Sequence, residues 1–217
     1  MSSFFHRHLD PATRLGEVLF GLIMALGITG AVRLSTESVT NRELFIAILG
    51  CNLAWGVVDG VMFAMLEMFE RGRRTRIQKA VQSAATDEMA VEQIAREFHD
   101  RLQPFTTAEE RQSLYRSMLL IIRRMDYEPV RLLQTDILGG IAVSGIILTA
   151  TMPILLPFVL IEATGTAIAV SNLIAISLLF WLGCQWGRAA GAVPVKVGAG
   201  VTCIGILLVL ITIALGG

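Results

Sequence analysis

The chain has 217 residues, 54% hydrophobic and 17% charged, with 18 Lys and Arg balanced by 18 Asp and Glu. Its mean hydropathy of +0.65 is too apolar for an ordinary soluble domain. The zero net charge hides an uneven distribution, and no basic stripe with interleaved aromatics is present to bind nucleic acid.

Crossing the roughly 30 Å hydrocarbon core of a bilayer takes about 20 apolar residues as a helix. Five spans are predicted, over 15–32, 44–69, 137–161, 167–186 and 197–215. Arg7 and Arg14 precede the first, as in a signal peptide, but Glu17 within it and the lack of an A-x-A site argue against cleavage. The stretch "CNLAWGVVDGVMFAMLEMFERGRR", residues 51–74, which begins inside the second span and runs past its end, carries Asp59 near the middle of the apolar run, with Asn52 two turns before it, Trp55 one turn before and Met62 one turn after. Gly56, Gly60 and Ala64 recur every four residues on the same helix and predict close approach of another helix.

The segment 70–134 reads as a helical insertion. Thr86 is placed to cap "DEMAVEQIAREFHDRL", and Thr107 with Glu110 forms a capping box opening "AEERQSLYRSMLLIIRRM"; Pro104 and Pro129 mark breaks. Leu114, Met118, Ile121, Ile122 and Met125 give the last helix an apolar stripe. Glu88, Glu92 and His99 share one side of the middle helix beside Met89, a donor set that suits iron or manganese. The same spacing also fits a solvated face in which Glu92 pairs with Arg96.

The remaining spans read as scaffold. The third carries Pro153 and Pro157. The fourth has Ser171, Asn172 and Ser177, then Gly183, Gly187 and Gly191; the fifth has Gly198, Thr202 and Gly205. Cys51, Cys184 and Cys203 lack metal or redox spacing and read as packing residues, not disulfide partners. The fold class is therefore an all-α integral membrane protein: 1–69 with two spans, 70–134 the cytoplasmic insertion, 135–217 with three more. Of the 18 Lys and Arg, only Arg33 and Arg42 fall on the side opposite the insertion, which puts the N-terminus in the cytoplasm and the C-terminus outside it, in a cell (inner) membrane.

An ionisable side chain at the centre of a membrane helix costs about 2.5–3.5 kcal/mol, so it is seldom incidental. Glu17, Met24, Asn52, Asp59, Met62, Met65 and Glu67 spread hard oxygens and soft thioethers along the first two spans, a mixture suited to a borderline metal such as Fe²⁺. Asp59 and Met62 are the candidate metal ligands within the spans, Asp59 as the exchangeable site and Glu17 and Glu67 at its cytoplasmic mouth. No P-loop, HExxH or G-x-S-x-G pattern indicates an enzyme. The rival reading is a non-transporting scaffold whose cytoplasmic helices dock a partner, with Asp59 bonded to Asn52 or Asn172.

The layout of two spans, a helical insertion and three spans, with "PILLPF" in the third and "GVTCIGILLVLITIALGG" closing the chain, resembles the vacuolar iron transporter family, in a divergent bacterial branch. Where that family carries an aspartate-glycine pair in its first span, this chain has Glu17 and Gly21, and its Asp59-Gly60 pair lies in the second. The resemblance implies a homodimeric carrier in the lipid bilayer with no permanently bound cofactor, moving Fe²⁺ or Mn²⁺ against protons along the first two helices of each protomer. It also implies that the Gly56, Gly60, Ala64 face meets its copy across a two-fold axis.

Overall fold

The computed structural model of the chain describes residues 11–34, 39–127 and 129–214. They form α1 (Pro11–Leu34), α2 (Asn41–Gln82), α3 (Asp87–Leu102), α4 (Ala108–Ile122), α5 (Gln134–Leu160), α6 (Thr164–Ala189) and α7 (Pro194–Ala214), with a 3₁₀ turn at Gln103–Phe105 and no strand among the described residues. Five of these helices, α1, α2, α5, α6 and α7, are long and apolar enough to cross a membrane. Arg7 and the expected end of the last span at Leu215 lie outside the described residues.

The largest departure from expectation is α2, which does not stop near Phe69 but continues to Gln82, 42 residues in all. The stretch "RGRRTRIQKAVQ" is mostly Arg, Lys, Gln and Ala, all good helix formers; Gly72, Thr75 and Val81 are weaker ones, and there is no proline to break the run. Loss of hydropathy marks where a helix leaves an apolar environment, not where its hydrogen bonding ends.

The chain divides into two units, Met1–Phe63 with Ile137–Gly217, and Ala64–Asp136. In the first, α1, α2, α5 and α6 bury Leu22, Leu26, Leu44, Ile48, Ile154, Phe158, Ile168 and Leu179 against one another. The outward faces stay apolar, with Val57, Val61 and Met62 of α2 and Ile204, Leu207 and Ile211 of α7 exposed, the inverse of a soluble surface and compatible with lipid. Glycine sets two of the helix contacts. A Cβ on Gly183 would fall 2.8 Å from the Gly198 Cα and one on Gly187 2.9 Å from the Pro194 Cα, so α6 and α7 touch nearly backbone to backbone. Between them Gly191, at φ 68°, ends α6 in a Schellman motif, with the Ala192 N–H donating to the Gly187 carbonyl at 2.8 Å.

The second glycine contact corrects an expectation. Gly56 and Gly60 of α2 pack on α5 of the same chain: a Cβ on Gly60 would meet the Gly140 carbonyl oxygen at 2.7 Å and Ser144 Oγ at 2.8 Å. Ser144 Oγ donates to the Gly56 carbonyl at 2.6 Å. This face is consumed within the protomer, so it is not open to a second copy.

In the second unit, Val81 of α2, Ala90, Val91 and Ile94 of α3, and Tyr115, Leu119 and Ile122 of α4 form a separate apolar core. Both caps appear as the sequence predicts. Thr86 Oγ1 accepts from the Met89 N–H, and Thr107 and Glu110 satisfy each other's backbone N–H groups. The predicted α4 stripe is found in part: Ile122 is buried and Met118 packs against the core, with Tyr115 and Leu119 buried beside them, whereas Leu114, Ile121 (61% exposed) and, past the helix end, Met125 face out. α4 is apolar on more than one side, so spacing alone could not choose its inner face. Beyond it, Arg71 and Asp136 form a buried ion pair at 2.8 Å; Arg71 also donates to the Arg131 carbonyl, and Asp136 accepts from the Leu133 N–H.

Candidate functional site: a buried carboxyl pair

α1 places Glu17, Gly21, Ala25 and Thr29 at four-residue intervals on one face. Glu17 meets Asp59, and Gly21 meets Asn52, so residue numbers rise along α1 as they fall along α2 and the helices run antiparallel. The result is a column of polar groups inside an otherwise apolar unit.

At the first level the Glu17 carboxyl faces the Asp59 carboxyl and the Trp55 indole. Asp59 is 8% exposed. Although the three side chains approach one another, Glu17 Oε2, Asp59 Oδ2 and Trp55 Nε1 are all buried without a well-formed hydrogen bond. Phe20 braces the indole edge to face, with ring centroids 6.0 Å apart. Two carboxylates this close in a medium of low dielectric cannot both stay charged unless something positive neutralises them.

At the next level Asn52, fully buried, donates its Nδ2 to the Ile48 carbonyl at 2.9 Å, while its Oδ1 has no partner. Further along, Thr29 Oγ1 lies 2.6 Å from Asn172 Oδ1, and Ser171 Oγ donates to the Ile154 carbonyl at 2.8 Å. These partners overturn the bonds expected of the scaffold reading: Asn52 and Asn172 are engaged elsewhere, and the neighbour of Asp59 is Glu17.

Of the thioethers, Met24 is partly buried, whereas Met62 (51% exposed) and Met65 (47% exposed) lie on the outer side of α2. The expected flanking of Asp59 by Met62 is therefore not found. Glu67 is partly buried, eight residues beyond Asp59 on the same helix. Glu88, Glu92 and His99 are exposed on α3, and Glu92 accepts from Arg96 at 2.7 Å. Among the described residues no three His, Cys, Asp or Glu side chains converge.

Sequence reading missed Thr151 and Ser144. Both stand on the inner face of α5 with Gly140 and Ile147, at helical spacing in an apolar run, and that repeat of small polar side chains was the available signal. An apolar cleft of about 580 Å³ lies beside Val18, Ile146, Pro153 and Trp181 and is lined by no ionisable group. The sequence matches no family model and no curated protein.

Proposed function

We propose that the chain is a multi-pass membrane transporter of a divalent transition metal, Fe²⁺ or Mn²⁺, which it removes from the cytoplasm by export or sequestration in exchange for protons. The observation that carries this reading is the Glu17–Asp59 pair with its orphaned oxygens. Membrane carboxyls that face each other mark ion and proton paths, and burial makes them expensive to keep for packing alone. In the metal-loaded state both carboxylates bind the cation; in the return state a proton takes its place, and the pair never carries two uncompensated charges.

Orientation follows the Lys and Arg distribution, with the N-terminus and residues 70–134 cytoplasmic. Glu67 follows Asp59 along α2, toward the side that this distribution makes cytoplasmic. Homodimer formation remains part of the proposal, through a face other than Gly56 and Gly60.

The test is flux in proteoliposomes under a proton gradient, reading Mn²⁺ or Fe²⁺ uptake and internal pH together. Wild type is expected to couple the two, and Asp59→Asn and Glu17→Gln each to abolish both while remaining folded. If wild type moves no divalent metal, the carboxyl pair is structural and the chain is a membrane scaffold whose cytoplasmic helices dock a partner.

A further inference from the structure

We infer that the cleft between α2 and α3 binds the phosphate of an anionic phospholipid, whose acyl chains run back along α2 over Phe69 and Leu66. The inference rests on the membrane-spanning part of the reading above and not on metal transport; it gives the helix that carries Asp59 a lipid partner.

The apolar run of α2 ends at Phe69, and Arg71, Arg73, Arg74, Arg76 and Lys79 follow it on the same helix. Arg71 is taken up by Asp136, and Lys79 lies over the Tyr127 ring, 5.6 Å from its centroid. Arg73 and Arg76 instead line a cleft of about 390 Å³, together with Ile77 of α2 and Gln93, Arg96 and Glu97 of α3. Three guanidinium groups therefore border the cleft against one carboxylate. Arg73 pairs with that carboxylate, Glu97, and reaches Glu70 at 3.5 Å. Arg96 pairs with Glu92 at 2.7 Å, but both side chains are more than half exposed, and such a pair holds its partners weakly. Arg76 is exposed and makes no ion pair among the described residues. Leu66, Phe69, Arg73 and Arg76 succeed one another in steps of three or four residues, so they share one face of α2, and Leu66 and Phe69 are exposed on it. That face passes from apolar to cationic in the order in which a phospholipid passes from chain to phosphate.

The distances suit a bilayer boundary. The headgroup layer adds about 5–8 Å to each side of the hydrocarbon core. Arg73 stands about 6 Å and Arg76 about 10 Å beyond Phe69 along the helix, and long helical side chains lean back toward the helix N-terminus, here toward Phe69. The chemistry suits a phosphate, because the flat guanidinium fork presents paired N–H donors to two of its oxygens and Gln93 adds an uncharged donor. A soluble anion would use these donors and gain nothing from Leu66 and Phe69, whereas a phospholipid uses the whole face. Near an anionic membrane surface each arginine is worth about fivefold in affinity.

The test is native mass spectrometry of the full-length protein in detergent, titrated with phosphatidylglycerol or with phosphatidylcholine of the same chains. Wild type is expected to bind the first phosphatidylglycerol more tightly than phosphatidylcholine by about tenfold or more. Arg76→Gln and Arg96→Gln, both at exposed helical positions that glutamine fits, should each lose about fivefold of the phosphatidylglycerol affinity, and the double variant about twenty-five-fold. Phosphatidylcholine binding should not change, and Arg116→Gln, an exposed arginine on α4, should stay within about twofold of wild type. Equal affinity for the two lipids, or unchanged phosphatidylglycerol affinity in the double variant, overturns the inference. Displacement of the lipid by inorganic phosphate at comparable concentration overturns it too and makes the cleft a site for soluble anions. Protein that leaves the membrane in alkaline carbonate and stays monodisperse without detergent overturns the membrane reading and this one with it. The lipid preference and its loss in the variants are expected whether or not the protein moves metal, so failure of the flux assay and failure of this inference are told apart.

Discussion

Replacing Gly60 with alanine adds one methyl group where α2 crosses α5. It would sit 2.7 Å from the Gly140 carbonyl oxygen and 2.8 Å from Ser144 Oγ, against 3.4 Å for the start of ordinary contact. Ser144 could rotate, but the Gly140 carbonyl belongs to a helix and cannot, so the axes must separate by about 0.7 Å locally. Overpacking of this kind costs about 1–3 kcal/mol. At about 2–4 °C per kcal/mol for a chain of this size, Tm should fall by roughly 2–12 °C. Asp59 is the adjacent residue, so its register against Glu17 shifts as well, and on the transport proposal metal flux should drop. Gly145→Ala is the control, for a Cβ there meets nothing within 4 Å. Alanine's better helix propensity should leave it neutral or more stable by up to about 1 kcal/mol. Thermal unfolding in detergent, followed by tryptophan fluorescence, compares the two. Equal Tm values for the two variants would refute the backbone-contact account of the crossing.

The buried Arg71–Asp136 pair makes a different kind of prediction: Arg71→Met alone takes the guanidinium charge from the buried Asp136 carboxylate and should destabilise by about 3–5 kcal/mol, whereas Arg71→Met with Asp136→Leu should recover part of the loss in the same unfolding assay. Glu110, held by the Thr107 backbone N–H and then by its hydroxyl, has a carboxyl below its ordinary range. A folded value lower than the unfolded one gives stability that is present above the ordinary carboxylate range and is lost as pH falls through Glu110's own depressed value. The first-turn amides of α4 should therefore lose hydrogen-exchange protection on acidification in wild type, and Glu110→Gln should remove that pH dependence.

Hydropathy made the five long apolar helices legible, because twenty or so apolar residues in a row leave few alternatives, and the caps at Thr86 and Thr107 were legible because their hydrogen bonds are local. The extent of α2 was not: a charged continuation keeps the helix while losing the apolar signal. The inner face of α4 was not, since Leu119 and Ile121 are equally apolar and only tertiary packing distinguishes them. Glu17 and Asp59 stood out singly as charges in apolar runs, but their pairing depends on how α1 lies against α2, and no single-helix periodicity contains that. The side on which Met62 falls was hidden for the same reason. Its place one turn from Asp59 suggested proximity, yet on α2 it falls on the exposed side.

The two glycine contacts also differ in how much chain they close. Gly183 and Gly198 are only about fifteen residues apart, joined by the Schellman turn at Gly191, so α6 and α7 can zip together at little loop entropy. The Ser144 bond to Gly56 spans 88 residues and waits for the whole of α3 and α4 to be made. During synthesis, then, the α6–α7 hairpin needs only its own sequence to assemble, whereas the α2–α5 crossing must bring together two helices made far apart in time. A growing chain therefore spends an interval with Gly56 and Gly60 not yet covered by α5.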